Sequence, residues 1–531
     1  MLQWLVMLAL LLVHVAVVMV MVGGSSVPPA AEMSALEDLY NSTGGNRGYW
    51  IWYPDLGSRW DFSVNISSGE YLSSPCGSGS GNDAWQGVTC ESDMGTIVAL
   101  DLSHFNLTGS VPSSVSNIRN LTLLTLWNND VTGTIPSSLV QLTKLLVLDF
   151  EDCSLTGPFP SFLTKLINLQ QIWLSYNSLT GYLPSELGDL SNLGFFNLAG
   201  NFISGSIPAS VSGLANLVLI GLDYNIMTGT IPSGFGELQH LEILGISNMD
   251  LSGTIPFELG SISSLQYFYV QSNRLTGTLF PEIGELMQVE FFYVSNNMLS
   301  GTIPREIGHM IQLKSLYADS NVLSGTIPVQ LHNCSLLQII RFQRNRLSGG
   351  LSGIFQNLPF LENVDFSDNR FSGSIPSDVF ELPRLQSVVF TKNCFYGELP
   401  ASVCSPRNVT VMSLDGLGAA RHCKHAVIMP FTGVTLDNTM SGTIPECLFK
   451  LPNLQVLHLT GNGEFPINGY LQSILMSFSN MQVYRDPLLM LFRQIRDCCR
   501  YQFVSDNFVR FNVRNFSLTI FIILVFSTST Q

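Results

Sequence analysis

The feature that most constrains this chain is a glycine that recurs at a fixed interval. It belongs to one pattern repeated thirteen times, and each glycine lies 24 residues after the one before it. A single copy of so short a pattern cannot bury its apolar residues, whereas stacked copies bury them against one another. We therefore predict a linear array of regular repeats over residues 99–404. The glycines are Gly109, Gly133, Gly157, Gly181, Gly205, Gly229, Gly253, Gly277, Gly301, Gly325, Gly349, Gly373 and Gly397.

The order of residues within one copy indicates its local structure. The clearest copy, residues 121–142, reads LTLLTLWNNDVTGTIPSSLVQL. Its alternating Leu-x-Leu segment is typical of a half-buried strand, so stacked copies should form a parallel sheet. The glycine permits a φ that other residues resist. The Ile-Pro pair predicts extended or short 3₁₀ backbone on the opposite side, because proline has no N–H for a central strand or a helix interior.

A second recurring residue is an asparagine four positions before the glycine or its equivalent. An inward-facing Asn amide can donate and accept hydrogen bonds, so it can satisfy backbone groups where the chain leaves the strand. Three copies break this Asn ladder with Phe105, Cys153 and Met249. We expect a local loss of about 1 kcal/mol at each of the two internal breaks. The ladder residues are Asn129, Asn177, Asn201, Asn225, Asn273, Asn297, Asn321, Asn345, Asn369, Asn393, Asn438 and Asn462.

The motif Leu-x-Gly-x-Ile-Pro resembles the plant-type leucine-rich repeat, which occurs in receptor ectodomains and in polygalacturonase-inhibiting proteins. The resemblance covers roughly residues 35–465. It implies an α/β repeat solenoid, a right-handed superhelix with a concave parallel β-sheet and a disulfide-bearing N-terminal cap. The motif is specific to this subclass, and it does not indicate which ligand is bound.

The two ends of the sequence lack the repeat. Residues 1–24 contain an apolar run from Leu5 to Val22. Such a run is typical of a secretory signal peptide, and it is also long enough to be retained as a signal anchor. Residues 466–531 are biased toward arginine and contain an apolar segment too short to span a bilayer. We predict that they form an atypical, poorly ordered tail.

Residues 32–98 are rich in tryptophan and should form the cap that covers the apolar edge of the first repeat. The segment from Trp85 to Cys90 looks like the N-terminal cap of the plant-type family, in which the partner of this Cys lies next to the Trp. Here the nearest earlier cysteine is Cys76, nine residues upstream across a Gly- and Ser-rich insertion. We pair it with Cys90; the alternative is two free thiols. Such a bond would stabilise the fold by about 3 kcal/mol in the chain-entropy treatment.

The repeat spacing lengthens after Gly397, because the next complete copy has its glycine at position 442. We assign residues 405–437 to a cysteine-flanked insertion and residues 438–465 to a last repeat. The insertion is either a disulfide-tied loop or, as in some plant-type receptors, an island that contributes to ligand binding. Our first pairing is Cys404 with Cys423, although sequence alone leaves the connectivity open. The four cysteines concerned are Cys394, Cys404, Cys423 and Cys447.

Several Asn-x-Ser/Thr sequences lie in the part of the chain that should fold. They suit exposed turns of a secreted glycoprotein. Together with the apolar leader and the paired cysteines, they predict the secretory route. The expected location is extracellular or at the cell surface, with membrane association through the N-terminal segment if that segment is retained. The candidate glycosylation sites are Asn41, Asn65, Asn106, Asn120, Asn333 and Asn408.

Composition and motifs argue against several function classes. The net charge of −15 argues against nucleic-acid binding, which requires a basic face. The sequence contains no phosphate loop, no Gly-x-Ser-x-Gly and no His-Glu-x-x-His. The acidic cluster Asp149, Glu151 and Asp152 should lie on an open face, which lacks the pocket that paired-carboxylate hydrolysis needs. We predict a protein that is not an enzyme and that holds neither a cofactor nor a metal ion.

The residue eight positions before each glycine should face the concave surface. Adjacent strands are about 4.8 Å apart, so Tyr269, Tyr293 and Tyr317 should form a row that continues into Arg341. Aromatic and Arg side chains carry much of the binding energy at interfaces. Two arginines can bind a carboxylate through charge-assisted hydrogen bonds. In some plant-type receptors, paired arginines on the concave face bind the C-terminus of a peptide in this way. The alternative is that tyrosine is simply a good strand residue. The candidate ligand-binding residues are Trp127, Trp173, Tyr176, Tyr224, Tyr267, Tyr269, Tyr293, Tyr317, Arg341 and Arg344.

These observations predict an extracellular recognition protein that binds a protein, peptide or glycan on its concave face. The resemblance implies a receptor-like protein without a kinase domain, which would act with a membrane co-receptor. One alternative is a soluble inhibitor of a cell-wall hydrolase. Another is a structural cell-wall or matrix glycoprotein. The sequence fixes neither the ligand nor the oligomeric state.

Overall fold

The computed structural model describes residues 28–53, 57–65, 67, 71, 73–77, 84–91, 95–414 and 445–458, with a few short strands nearer the C-terminus. They fall into an N-terminal unit, residues 1–274, and a C-terminal unit, residues 275–531. The predicted leader lies outside the described residues. Among the residues that are described, no helix is long and apolar enough to cross a membrane.

The Leu-x-Leu segments of the N-terminal unit form one parallel sheet, as predicted. Equivalent residues of successive repeats pair directly, Leu124 with Leu148 and Leu148 with Ile172. The side chains of these three residues are buried between the two sides of the repeat. The first strand runs antiparallel to the second. The strands are Val88–Cys90, Ile97–Asp101, Leu123–Thr125, Val147–Asp149, Gln171–Trp173, Phe195–Asn197, Leu219–Gly221, Ile243–Gly245 and Tyr267–Tyr269.

The opposite side of each repeat has the extended and 3₁₀ backbone that the Ile-Pro pair predicts. Pro136, for example, has φ −64° and ψ 129°, and a 3₁₀ turn begins at the next residue. The 3₁₀ turns of the N-terminal unit are Gly45–Arg47, Ser113–Asn117, Ser137–Gln141, Ser161–Lys165, Ser185–Asp189, Ala209–Gly213, Ser233–Glu237 and Phe257–Ser261.

A second row of short strands surrounds the repeat glycines. The residue before each glycine is usually Ser or Thr, and its hydroxyl donates to the glycine carbonyl of the previous repeat. Thr132 Oγ1 lies 2.9 Å from Gly109 O, and Ser204 Oγ lies 2.9 Å from Gly181 O. Sequence reasoning missed this hydroxyl ladder. The strands are Thr108–Ser110, Asp130–Gly133, Ser154–Pro158, Ser178–Thr180, Ser252–Thr254 and, beginning at the last residue of the unit, Arg274–Thr276.

The C-terminal unit repeats this arrangement. Val411–Ser413 pairs directly with Val456–His458, so the residues inserted between them do not interrupt the sheet. The sheet strands are Phe291–Tyr293, Ser315–Tyr317, Ile339–Arg341, Asn363–Asp365, Ser387–Val389, Val411–Ser413, Val456–His458 and Gln482–Tyr484. The second row contains Ser324–Gly325, Arg346–Gly349, Arg370–Gly373 and Cys394–Phe395. The 3₁₀ turns are Pro281–Glu285, Arg305–His309, Val329–Asn333, Asp378–Glu381, Ala401–Cys404 and Glu446–Lys450.

Part of the predicted tail has regular backbone structure. Three strands, Tyr501–Ser505, Phe508–Val513 and Phe516–Phe521, pair as an antiparallel sheet. The sequence pattern did not predict this sheet.

The predicted role of the Asn ladder is confirmed. Asn129 Oδ1 accepts a hydrogen bond from Leu107 N at 2.8 Å, and its Nδ2 donates to Leu102 O and Leu126 O at 2.9 and 2.7 Å. Each amide therefore ties its own turn to the preceding repeat. Asn438 and Asn462 lie outside the described residues. The same acceptor bond occurs at Asn177, Asn201, Asn225, Asn273, Asn297, Asn321, Asn345, Asn369 and Asn393.

The three breaks in the ladder have different surroundings. Phe105 packs edge-on against Trp50 and Trp52 of the cap. Cys153 places its Sγ 3.4 Å from Leu126 O, where a ladder amide would donate. Met249 is buried and carries no group that could hydrogen-bond to the backbone of the neighbouring turn.

The N-terminal cap is a helix followed by an aromatic cluster. The helix spans Ala30–Ser42 and packs on the first 3₁₀ turn of the array. Trp50 and Trp60 pack edge to face with ring centroids 4.9 Å apart, and Trp60 stacks on Trp85 at 5.6 Å. Trp60 Nε1 donates to Gln86 O at 2.8 Å, which satisfies its buried polar group. The cluster covers the apolar edge of the first repeat.

The disulfide bonds confirm one predicted pairing and correct another. Cys76 is bonded to Cys90, as the resemblance implied, with the Cα atoms 5.5 Å apart. Cys404 is bonded to Cys447, so our pairing of Cys404 with Cys423 was wrong. The physical reason is that Cys404 and Cys447 lie on the 3₁₀ turns of consecutive repeats, which pack together across the insertion. Cys394 is also disulfide-bonded.

Candidate binding surface

In the C-terminal unit, three of the predicted binding residues lie side by side on one face of the sheet. Phe292, Leu316 and Ile340 are buried on the side of the sheet that faces the core. Because side chains alternate along a strand, the next residue of each strand points to the opposite, solvent-facing side of the sheet. Those residues are Tyr293, Tyr317 and Arg341, which are paired in register on neighbouring strands.

The rings and the guanidinium group form a continuous stack. The rings of Tyr293 and Tyr317 are nearly parallel, 9° apart, with centroids separated by 4.2 Å. The Cζ atom of Arg341 lies 4.7 Å from the centroid of the Tyr317 ring. Such aromatic and cation–π contacts each contribute about 0.5–1.5 kcal/mol. The stack therefore favours one orientation of Arg341 before a ligand arrives.

The charges around this stack leave Arg341 available. Arg341 is exposed, and within the described part of the chain it forms no ion pair. The neighbouring carboxylate of Asp365 accepts bonds from Ser367 N and Oγ at 3.0 and 2.6 Å. Burial, followed by the adjacent Tyr317, raises the pKa of Tyr293, so this phenol stays neutral at physiological pH.

Comparison with known proteins relates the repeats of this chain to those of other leucine-rich-repeat proteins. The family model for the leucine-rich repeat matches residues 168–190, 288–310 and 360–382. The receptor-like protein kinase HSL1 of Arabidopsis thaliana is 42% identical over 52 residues, which are 9% of this chain and 5% of that relative. The chain thus aligns with a small part of this kinase.

Two solved structures are similar over most of the chain. The plant peptide hormone receptor RGFR1, in complex with RGF2, has a TM-score of 0.62 and 29% identity over 71% of this chain and 61% of that one. The ectodomain of the Arabidopsis receptor kinase HAESA, in complex with an IDA peptide hormone, has a TM-score of 0.61 and 28% identity over 86% and 76%.

The chain contains leucine-rich repeats and is similar in fold to these plant receptor ectodomains.

Four further candidates of this leucine-rich-repeat protein lie on exposed or half-buried positions. Arg344 is exposed three residues beyond Arg341, with a positive φ of 56°. Tyr176 and Tyr224 occupy the equivalent turn position in the N-terminal unit and are 42% and 60% exposed. Trp127 is half-buried, with its ring edge-on to His104 at 4.3 Å.

Two candidates are buried, contrary to our prediction that they face a ligand. Trp173 is 2% exposed. Its ring stacks on Phe195, and its Nε1 donates to Gln171 Oε1 at 3.0 Å. Tyr269 is 3% exposed and packs against the half-buried Tyr267 at 6.1 Å. Neighbouring side chains on the same face cover both rings, which a column of sequence positions does not reveal.

The acidic cluster is also placed differently from our prediction. Asp149 and Glu151 are buried, whereas Asp152 is exposed. Asp149 lies in register between Thr125 and Trp173, and burial raises its pKa to about 7. Its Oδ1 accepts a bond from Glu151 N at 3.0 Å. The arrangement is a packed turn rather than an open acidic surface.

Sequence reasoning missed Phe291 as a part of the surface. Its ring lies edge-on to Tyr293, with centroids 6.3 Å apart, and it is half-buried. Strand alternation could have identified it, because it stands two residues before Tyr293 on the same face.

Proposed function

We propose that this protein is an extracellular recognition protein whose C-terminal unit binds a peptide on its strand face. The observation that carries the proposal is the stack of Tyr293, Tyr317 and Arg341, which presents an oriented cation beside two aromatic rings. The similar structures of RGFR1 and HAESA were solved with peptide hormones, which supports a peptide as the ligand class.

The chemistry of the site favours a peptide that ends in a free carboxylate. Arg341 and the exposed Arg344 can each donate charge-assisted hydrogen bonds to a carboxylate. The faces of Tyr293 and Phe291 offer apolar area to the side chains that precede it. Exposed positions at five of the six candidate glycosylation sites, with Asn120 half-buried, support the secretory route. Action with a membrane co-receptor remains part of this proposal.

The proposal can be tested with arrays of synthetic peptides immobilised so that their C-termini are free. The full chain should retain a subset of these peptides and bind their amidated forms at least tenfold more weakly. The double change Arg341→Ala, Arg344→Ala should weaken binding by about 2–3 kcal/mol, the usual value for hydrogen bonds to a charged group. Tyr293→Ala combined with Arg341→Ala should do the same.

The matched control is Arg384→Ala, because Arg384 makes a similar cation–π contact, 4.7 Å from the Phe360 ring, away from the strand residues. This variant should bind as the unmodified protein does. If Arg341→Ala, Arg344→Ala retains the same peptides with equal affinity, the C-terminal unit does not bind peptides in this way.

A further inference from the structure

A lateral patch of large apolar side chains is exposed on three successive repeats of the N-terminal unit. We call it the lateral patch, and the exposed fractions of its side chains range from 42% to 72%. Other exposed apolar residues of the described chain are more scattered. The lateral patch consists of Tyr176, Tyr182, Phe202, Tyr224 and Ile226.

The residues of the lateral patch lie on backbone segments of successive repeats that pair with one another. Gly200 has so little room that a Cβ atom there would lie 2.9 Å from Tyr176 Cδ1, so the Tyr176 ring leans over the next repeat. Phe202 stands two residues beyond Gly200, and its N–H donates to Leu179 O. Ile226 N donates to Ile203 O, which continues the row into the third repeat.

The backbone conformation shows that tyrosine is an unfavourable choice at two of these positions. The residue before each ladder position has a positive φ in every repeat from His104 to Lys392. In most repeats it is Asn, Asp, Ser, His or Gly, which tolerate that conformation best or have short side chains. Tyr176 and Tyr224, at φ 53° and 55°, keep bulky side chains there. Such a locally unfavourable residue commonly marks a functional position.

Exposed charge is sparse around the lateral patch and is acidic at both ends. From residue 190 to residue 236 the single charged residue is Asp223, which is buried, whereas the exposed Asp152 and Asp250 occupy the columns of Tyr176 and Ile226 in the preceding and following repeats. Exposed hydroxyl groups of Ser178 and Thr228 lie between the apolar side chains. No Asn-x-Ser/Thr sequence occurs between Asn120 and Asn333. A polyanion or an anionic membrane would find no opposite charge here, because residues 166–273 contain no Lys or Arg.

The size of the lateral patch argues against a second copy of the chain as its partner. Five half-exposed side chains amount to roughly 500 Å² of apolar area. A symmetric dimer would bury about twice that, below the approximately 1,200 Å² of a stable interface. A ligand that contacts several small subsites in a line needs no such area.

We propose that the lateral patch binds a neutral, extended polysaccharide with β-1,4 linkages, which runs across successive repeats. Tyr176 and Tyr224 are two strand spacings apart, roughly 10 Å, which is close to the length of one disaccharide unit in such a chain. Aromatic rings pack on the C–H faces of sugars, and Ser178 and Thr228 can hydrogen-bond to sugar hydroxyls. Gly200, between the two tyrosines, leaves the path of the chain open.

The test uses calorimetry of the full chain with cellohexaose, mannohexaose, cellobiose and maltohexaose. Cellohexaose or mannohexaose should bind at least tenfold more tightly than cellobiose, which reaches one tyrosine, and than maltohexaose, whose α-linkages coil. The variant Tyr176→Asn, Tyr224→Asn should lose at least tenfold in affinity while melting no lower than the unmodified protein, because Asn suits the positive φ.

The controls separate this proposal from the peptide site. Tyr396→Asn, at a 47% exposed tyrosine in the other unit, should bind sugars normally. So should Arg341→Ala, Arg344→Ala. The proposal is overturned if neither hexasaccharide binds, or if the double Asn variant keeps its affinity within twofold. It is also overturned if sedimentation shows a dimer that this variant dissociates, since the occupant is then a second copy.

Discussion

At the scale of single residues, the most consequential group is the buried carboxyl of Asp149. Its pKa rises from 3.8 to about 7 because burial disfavours the charged form. Folding therefore takes up a proton between about pH 4 and pH 7. The stability linked to this group is greatest at acid pH and falls as the pH rises toward 7, since the folded protein must then hold a buried charge.

We predict that Asp149→Asn stabilises the protein by on the order of 2–4 kcal/mol at pH 7.5 and by only about 1 kcal/mol at pH 4.5. The Asn side-chain oxygen can still accept the bond from Glu151 N, so the turn is preserved. Denaturant unfolding at the two pH values measures the difference. Asp130→Asn, at an exposed position of the second row of strands, is the control and should change neither value. An equal gain at both pH values would contradict this explanation.

At the scale of structural elements, the Asn ladder decides how firmly successive turns are joined. Met249 interrupts the ladder. In an intact copy the Oδ1 of the ladder Asn accepts a hydrogen bond from the backbone N–H 22 residues earlier, and for position 249 that group is the N–H of Met227. In the intact neighbouring case, Asn225 Oδ1 accepts from Ile203 N at 2.8 Å, and its Nδ2 donates to Leu198 O and Leu222 O.

We predict that Met249→Asn raises the free energy of unfolding by about 1 kcal/mol. Three new hydrogen bonds of about 1 kcal/mol each should outweigh the roughly 2 kcal/mol of apolar burial that is lost. The reciprocal change Asn225→Met should cost at least about 2 kcal/mol, because it leaves buried backbone groups unsatisfied. Thermal and denaturant unfolding of both variants measure the effects. If Met249→Asn destabilises the protein as much as Asn225→Met does, the break is not a missing ladder bond.

At the scale of the whole molecule, covalent links tie together segments that are far apart in sequence. The Cys404–Cys447 bond spans 43 residues and joins the last two described repeats. In the chain-entropy treatment a loop of this length contributes about 4 kcal/mol.

We predict that Cys404→Ser and Cys447→Ser destabilise the C-terminal repeats equally, by about 4 kcal/mol. Peptide mapping without reduction should recover Cys404 linked to Cys447. Cys334→Ser is the matched control, because Cys334 is buried and carries no disulfide. Recovery of Cys404 linked to a different cysteine, or unequal losses in the two variants, would refute this connectivity.

The sequence alone determined the repeat length, the strand positions and the role of the ladder asparagines, because these depend on contacts that recur at one fixed spacing. It also determined the Cys76–Cys90 bond through the cap motif, and it placed Tyr293, Tyr317 and Arg341 on one face. The tertiary structure decided what local pattern cannot express. Trp173 became buried because Phe195 on the adjacent strand covers it, and Tyr269 because side chains on the same face, Tyr267 among them, cover its ring. Cys404 is bonded to Cys447 because stacked turns bring distant residues together. The lateral patch emerged for the same reason, since stacking places its residues on three adjacent repeats.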